Sequence, residues 1–106
     1  MNDQEILPKL IDKLEKDYSL ERNALPALSD LSAIREHLKK RIIQLLAGDY
    51  QKFVNSLYML DVNERKVSEI MSAKNKIEIP DKLTDLIIER QLQRIKTQIL
   101  YKSGNL

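Results

Sequence analysis

The fold is decided by residues 80–101, PDKLTDLIIERQLQRIKTQILY, which predict one long helix. Pro80 suits the first helical position, where its missing N–H would have no partner. At about 100° per residue, the first half of this helix carries one apolar stripe, Leu83, Leu86 and Ile87. A second stripe, rotated from the first by roughly 150°, occupies the other half. Its members are Ile88, Leu92, Ile95 and Ile99.

A helix whose apolar side changes along its length is expected to pack against two different neighbours. For the second stripe, two interpretations of what covers it remain open. In one, the first helix of the chain or the 19–30 segment covers it, as is usual for such stripes. In the other, Ile88, Leu92, Ile95 and Ile99 are a candidate interface, either a dimer seam or a partner groove.

Shorter helices are predicted before this one. The first lies within about residues 4–18, with Pro8 either in its first turn or at a kink, and residues 19–30 form a loop. In the second helix, Ser29 or Asp30 is expected to be the N-cap, and Gly48 is expected to take the left-handed position after the last turn. Its expected core stripe is Leu31, Ile34, Leu38, Ile42 and Leu45, widened by Leu46.

Asp49 is a natural N-cap for a third helix. The side chains expected to point inward from it are Tyr50, Phe53, Val54, Leu57 and Leu60. Asp61 and Glu64 have the spacing of a capping box, which predicts a fourth helix to about residue 73, although one bent helix through 59–62 is equally compatible. The inward side of this fourth helix is Val67, Ile70 and Met71. Residues 74–78 form a polar loop, with Ile77 and Ile79 expected to plug the core.

These patterns predict a single all-α domain over residues 1–106, with a frayed tail at about 103–106. Short helices with tight connections favour a compact bundle or an orthogonal array of four to five helices, the last one long.

Composition excludes several classes of protein. The chain has no cysteine, so disulfide scaffolds and thiolate metal sites are ruled out. His37 is the only histidine and cannot build a metal site alone, and no motif indicates a catalytic residue or a cofactor. We therefore expect no enzyme. No apolar run could span a membrane, and the acidic start lacks an export signal, so a soluble cytoplasmic protein is expected.

Arg90 and Arg94 continue the line of the first apolar stripe of the last helix. We expect them to cross the edge of the core and pair with acids, forming a candidate ion-pair cluster. Its members are Asp61, Glu64, Arg90 and Arg94. The alternative is a clamp for an anion or a partner carboxylate.

The densest basic cluster is Arg35, Lys39, Lys40 and Arg41 on the second helix. On a helical wheel these side chains scatter around the non-core side, which is typical of a solvated surface. As a candidate basic patch they give the alternative function, a nucleic-acid-associated protein, although base-reading side chains are missing from the start of this helix.

Residues 48–98 carry a further pattern. Asp49-Tyr50, Leu57-Tyr58, Asp61-Val62 and Glu64 are followed by Ile79-Pro80-Asp81 and by Leu86-Ile87-Ile88-Glu89-Arg90-Gln91-Leu92. This run resembles a small all-helical bacterial family without known function. The resemblance implies that Asp61, Glu64, Arg90 and Gln91 belong together, and it implies no activity.

The function hypothesis from sequence is a non-enzymatic protein–protein interaction or assembly module. Its partner is another protein or a second copy of the chain, as in a homodimer.

Overall fold

The structure, a computed structural model, describes residues 3–20, 30–102 and 104. Within those residues it contains five α-helices, one short 3-10 helix and no strand, which confirms the all-α prediction and the long last helix. The helices are α1 (Asp3–Tyr18), α2 (Leu31–Gly48), α3 (Tyr50–Leu60), α4 (Glu64–Met71) and α5 (Ile79–Lys102), with the 3-10 helix at Lys76–Glu78. Most of the predicted tail and most of the loop predicted at 19–30 lie outside the described residues.

The last helix, α5, is the centre of the fold. It is about 36 Å long at 1.5 Å per residue, which compares with 43 Å for the longest dimension of the molecule. Each of the other four α-helices packs against it, α2 and α1 most extensively. The two apolar stripes of α5 follow from this arrangement, because one straight helix has to serve neighbours on different sides.

A single apolar core fills the space around α5. Every α-helix except α4 contributes fully or nearly buried side chains to it. Those with almost no exposed surface include Leu10, Leu14, Ile34, Leu38, Ile42, Phe53, Leu83, Ile87 and Ile95. The inward side chains predicted for α2 and α3 are therefore largely confirmed as core.

Two aspartates start helices as predicted. The Asp30 carboxylate accepts a hydrogen bond of 2.9 Å from the Ala33 N–H, and the Asp49 carboxylate accepts one of 3.3 Å from the Lys52 N–H. The prediction for Gly48 was wrong, because Gly48 is the last residue of α2 and lacks a left-handed backbone. Asp49 instead closes α2, since its own N–H bonds to the Leu45 carbonyl at 2.9 Å.

The capping box predicted for Asp61 and Glu64 is also wrong. Asp61 has φ 59° and ψ 46°, a left-handed conformation that ends α3. The N-cap of α4 is Asn63, whose side chain accepts hydrogen bonds from the N–H groups of Arg65 and Lys66. The chain thus breaks between α3 and α4, which excludes one bent helix.

Three residues lie elsewhere than predicted. Leu31 begins α2 one turn before its buried stripe and is 40% exposed, and Tyr50 at the start of α3 is 50% exposed. Ile77 is 84% exposed, because the 3-10 turn directs only Ile79 into the core. Pro8 lies inside α1, in its second turn, so α1 lacks one internal hydrogen bond there.

Tyr18 joins the end of α1 to α3. Its side chain is 2% exposed, and its hydroxyl and that of Ser56 form a hydrogen bond of 3.2 Å. Burial raises the pKa of Tyr18 to about 12, an effect that the hydrogen bond to Ser56 partly offsets and the nearby Asp17 carboxylate reinforces.

This shift predicts a loss of stability in alkali. Above pH 10.0, the ordinary pKa, the unfolded chain loses the Tyr18 proton while the folded chain keeps it. The free energy of unfolding then falls with rising pH until the folded pKa is reached, by roughly 2–3 kcal/mol in all. Urea titrations between pH 9 and pH 12 measure it. The Tyr18→Phe variant should lack this component, and an identical alkaline loss in that variant would contradict the assignment.

Candidate functional site

The connection between α3 and α4 sets the direction of both helices. Besides its left-handed backbone, Asp61 donates its N–H to the carbonyls of Leu57 and Tyr58. The Arg90 side chain of α5 reaches the same point, where its Nε donates to the Leu60 carbonyl at 3.2 Å. Arg90 therefore fixes the carboxyl end of α3 on α5, and a cation suits that negative end of the helix dipole.

The short helix α4 lies on α5 without entering the core. None of its residues is fully buried, and its apolar side chains Val67, Ile70 and Met71 only flank the core. Helices α3 and α4 each pack against α5 but hardly against each other. A gap between them follows from that arrangement.

The gap is an open groove of about 260 Å³. Phe53 and Leu57, both buried, form its floor on the α3 side, while Val67 and Met71 line it from α4. Tyr58, which is 65% exposed, stands with Tyr50 on the α3 rim. Small-molecule sites usually hold about 300–1,000 Å³, so this groove better suits a few side chains of a partner.

The chemistry of the groove is mostly apolar. Among the described residues that line it, Glu64 is the one carboxylate, and neither histidine nor lysine occurs. Ser68 and the two tyrosine hydroxyls supply the other polar groups. Tyr and Met are enriched at protein interfaces, and the flexible Met side chain adapts to different partners.

The candidate interface of α5 is covered within the chain. Ile88 and Ile95 are 6% and 1% exposed, and Leu92 and Ile99 are half-buried against the core. The cover over this half of α5 comes from α1, as the first of the two interpretations had it. The dimer-seam interpretation finds little support in this fold, because Ile88 and Ile95 have almost no free surface and Leu92 and Ile99 expose only part of theirs.

Gln91 lies among those residues and is fully buried. Its amide nitrogen donates a hydrogen bond of 2.9 Å to the Asp17 carboxylate at the end of α1, whereas its amide oxygen has no hydrogen-bond partner. Gln91 thus ties α1 to the middle of α5 from inside the core.

Half of the predicted ion-pair cluster is brought together. A guanidinium nitrogen of Arg90 lies 3.6 Å from an Asp61 carboxylate oxygen. Glu64 instead borders the α3–α4 groove, and Arg94 lines a shallow depression farther along α5. Glu64 and Arg94 are therefore not members of the cluster, and Gln91 contacts Asp17 instead of it.

The candidate basic patch on α2 is largely used inside the chain. Arg35 donates to Asp85 at 2.7 Å and Lys39 lies 3.0 Å from Asp81, so both bind α2 to the start of α5. Arg41 donates to the Tyr18 carbonyl at 2.8 Å. Lys40 is exposed.

These ion pairs shift two pKa values. The hydrogen bond from Lys39, reinforced by Arg35, holds the pKa of the Asp81 carboxyl below its ordinary value. The hydrogen bond to Asp85 raises the pKa of the Arg35 guanidinium further above its already high value. Both groups stay charged at neutral pH, which keeps the patch paired.

Other kinds of site find little support in the described part of the chain. No group of three or more His, Cys, Asp or Glu side chains there could hold a metal ion. His37 is half-buried on the flank of α2. No helix among the described residues has the length and apolar character needed to cross a membrane.

Searches against protein-family models, curated proteins and solved structures found no match. The resemblance of residues 48–98 to a helical bacterial family stays a prediction.

Neither the groove nor the buried position of Gln91 was predicted, although both left a signal in the sequence. Tyr50, Val54 and Tyr58 recur every four residues and form a second apolar side of α3 beside its core side. Gln91 shares its side of α5 with Ile88 and Ile95, which marks it as a polar residue at a core position.

Proposed function

We propose that this chain is a non-enzymatic protein-interaction module that binds an amphipathic helix of another protein in the α3–α4 groove. The supporting observation is the groove itself, which is open to solvent above an apolar floor and whose rim carries two exposed tyrosines. Tyrosine is among the residues that most often dominate binding energy at interfaces.

The length of the groove favours a helix as the occupant. From Tyr50 to Tyr58 it follows α3 for about 12 Å, at 1.5 Å per residue. Three apolar side chains at positions i, i+4 and i+7 of a partner helix span about 10.5 Å, so they fit along it.

The charge on the rim of the groove also indicates which kind of helix would bind there. Glu64 is the one carboxylate among the lining residues, and it lies at the start of α4. A lysine or arginine next to the apolar residues of the partner would pair with it at the rim, where such a pair sets orientation more than affinity. We further propose that the module works in the cytoplasm, where its fold needs no disulfide because the chain has no cysteine.

The experiment uses a synthetic helical peptide with leucine at i, i+4 and i+7 and a lysine placed to reach Glu64. We expect a dissociation constant on the order of 10 µM, measured by fluorescence anisotropy. The Tyr58→Ala variant should bind about tenfold more weakly or worse. Met59→Ala is the matched control, because Met59 is 84% exposed and does not line the groove.

Three results would contradict the proposal. If a scrambled peptide bound equally well, the spacing of its leucines along a helix would not matter for binding. If Tyr58→Ala and Met59→Ala lost equal affinity for the peptide, the groove would not be the binding site. Light scattering that shows a wild-type dimer, split by Tyr58→Ala, would make a second copy the occupant.

A further inference from the structure

Three lysines form a stripe on the outer side of α1. Lys9, Lys13 and Lys16 follow one another at steps of four and three, so they share one side of the helix over about 10.5 Å. None of the three forms an ion pair with another residue that the structure describes. This stripe differs from the α2 patch, whose cations are mostly paired.

The stripe borders α5 and continues onto it. A depression of about 240 Å³ between the two helices is lined by the three lysines, Asp12, Ile95 and Gln98. A second depression of about 240 Å³ on α5 begins at the same Gln98 and is lined by Arg90, Gln93, Arg94 and Thr97. Because they share Gln98, the two depressions form one surface, which we name the α1–α5 face.

The charge of the α1–α5 face is strongly positive. Its lining holds five basic side chains, Lys9, Lys13, Lys16, Arg90 and Arg94, and one acidic side chain, Asp12. The whole chain has a net charge of only +2. Arg90 is partly engaged with Asp61, whereas Arg94 has no ion pair within the described residues. Such a concentration of cations attracts a polyanion.

An aromatic ring stands at one end of this face. Residues 90, 94, 97 and 101 follow at steps of four, three and four, so Tyr101 lies on the same side of α5 as the two arginines. Tyr101 is 76% exposed. A solvent-exposed ring beside a basic track is the arrangement on which bases of a single strand stack, while a duplex keeps its base faces hidden.

We infer that the α1–α5 face binds the phosphate backbone of single-stranded nucleic acid, and that Tyr101 stacks on a base. The lysine stripe and Arg94 contact phosphates, and the amides of Gln93 and Gln98 donate hydrogen bonds between them. The binding is independent of sequence, because nothing in the lining is placed to select one base. It is also independent of the α3–α4 groove, since it uses neither helix.

The probe is fluorescein-labelled oligothymidine of about 20 nucleotides, titrated by anisotropy from about 20 mM to about 200 mM salt. The wild-type affinity should fall steeply with salt. The triple variant Lys9→Gln, Lys13→Gln, Lys16→Gln should bind at least tenfold more weakly at low salt. Its slope of log affinity against log salt should be smaller by about 2, at about 0.7 for each lost contact with a single strand.

The matched control is Lys40→Gln, Lys52→Gln, Lys74→Gln, which removes the same charge from exposed lysines elsewhere. It should stay within about threefold of the wild type, because a non-specific charge effect is weak at a distance. Tyr101→Ala should lose about fivefold and Tyr101→Phe should recover most of it, since the ring is what stacks.

Four outcomes would overturn the inference. These are no wild-type binding at the lowest salt, equal losses in the two lysine triples, no effect of Tyr101→Ala, and equal or tighter binding of a duplex of the same length. Circular dichroism of each variant verifies that the fold is intact.

Discussion

The Ile95→Asp variant is expected to lose its cooperative unfolding transition at neutral pH. Ile95 is 1% exposed, between α1 and α5. Truncating such a side chain alone costs about 2–5 kcal/mol, and an unpaired carboxylate in the same place costs several kcal/mol more. The sum is comparable to the about 5–15 kcal/mol that stabilise an ordinary domain. Far-UV circular dichroism during a urea titration measures the result.

The control for this variant is Ile43→Asp on α2. Ile43 is 46% exposed, so the same chemical change there should cost less than about 1 kcal/mol. Leu92 is only half-buried and is the less decisive position on α5. If the wild type were a dimer and Ile95→Asp a folded monomer, Ile95 would lie in a dimer interface, and its assignment to the core would be wrong.

The Gln91→Glu variant is expected to be unstable at neutral pH and close to wild type in acid. The substitution keeps the shape of the side chain but puts a carboxyl group at a fully buried position, beside the Asp17 carboxylate. Burial and the like charge both raise the pKa of that carboxyl in the folded chain above the ordinary value of about 4.3.

The sign of the pH dependence follows from the two states. Well below pH 4, the new carboxyl is protonated in both the folded and the unfolded state, and the stability of the variant is close to that of the wild type. Above about pH 4.3 the unfolded chain ionises first, so the free energy of unfolding falls by about 1.4 kcal/mol per pH unit until the folded pKa is reached. We expect a loss of roughly 2–4 kcal/mol relative to wild type at pH 7.

Urea titrations of both proteins at pH 4.5 and pH 7 test this. The Gln91→Met variant is the neutral control, and it should lose about 1 kcal/mol, the worth of one hydrogen bond, at either pH. A Gln91→Glu variant that is equally stable at both pH values relative to wild type would mean that water reaches the site.

Sequence patterns predicted the helices better than they predicted where helices end. Asp30 and Asp49 were identified as caps, because a cap depends only on the few residues around it. Asp61 has the same chemistry, but its role depends on whether its own backbone turns left-handed. That turn is decided by how α3 and α4 both reach α5, with Arg90 holding the Leu60 carbonyl.

Predicting the site required knowledge of neighbours. The second stripe of α5 was recognised, yet its pattern cannot distinguish cover by α1 from cover by another molecule. The α3–α4 groove exists because α4 packs on α5 and hardly on α3, a matter of tertiary packing that no local pattern encodes. Tyr50 was placed inside for the same reason, since an apolar side chain on a groove rim has the spacing of a core residue.

The central position of α5 also affects how the chain folds during its synthesis. Helices α1 to α4 leave the ribosome before α5, and each has its main or a major packing surface on that later helix. Although α2 can already pack against α1 and α3, the emerging chain holds amphipathic segments whose apolar sides are only partly covered until α5 is synthesised. Closure of the core is then a late event in which distant parts of the chain meet, and the exposed segments are open to chaperones until it occurs.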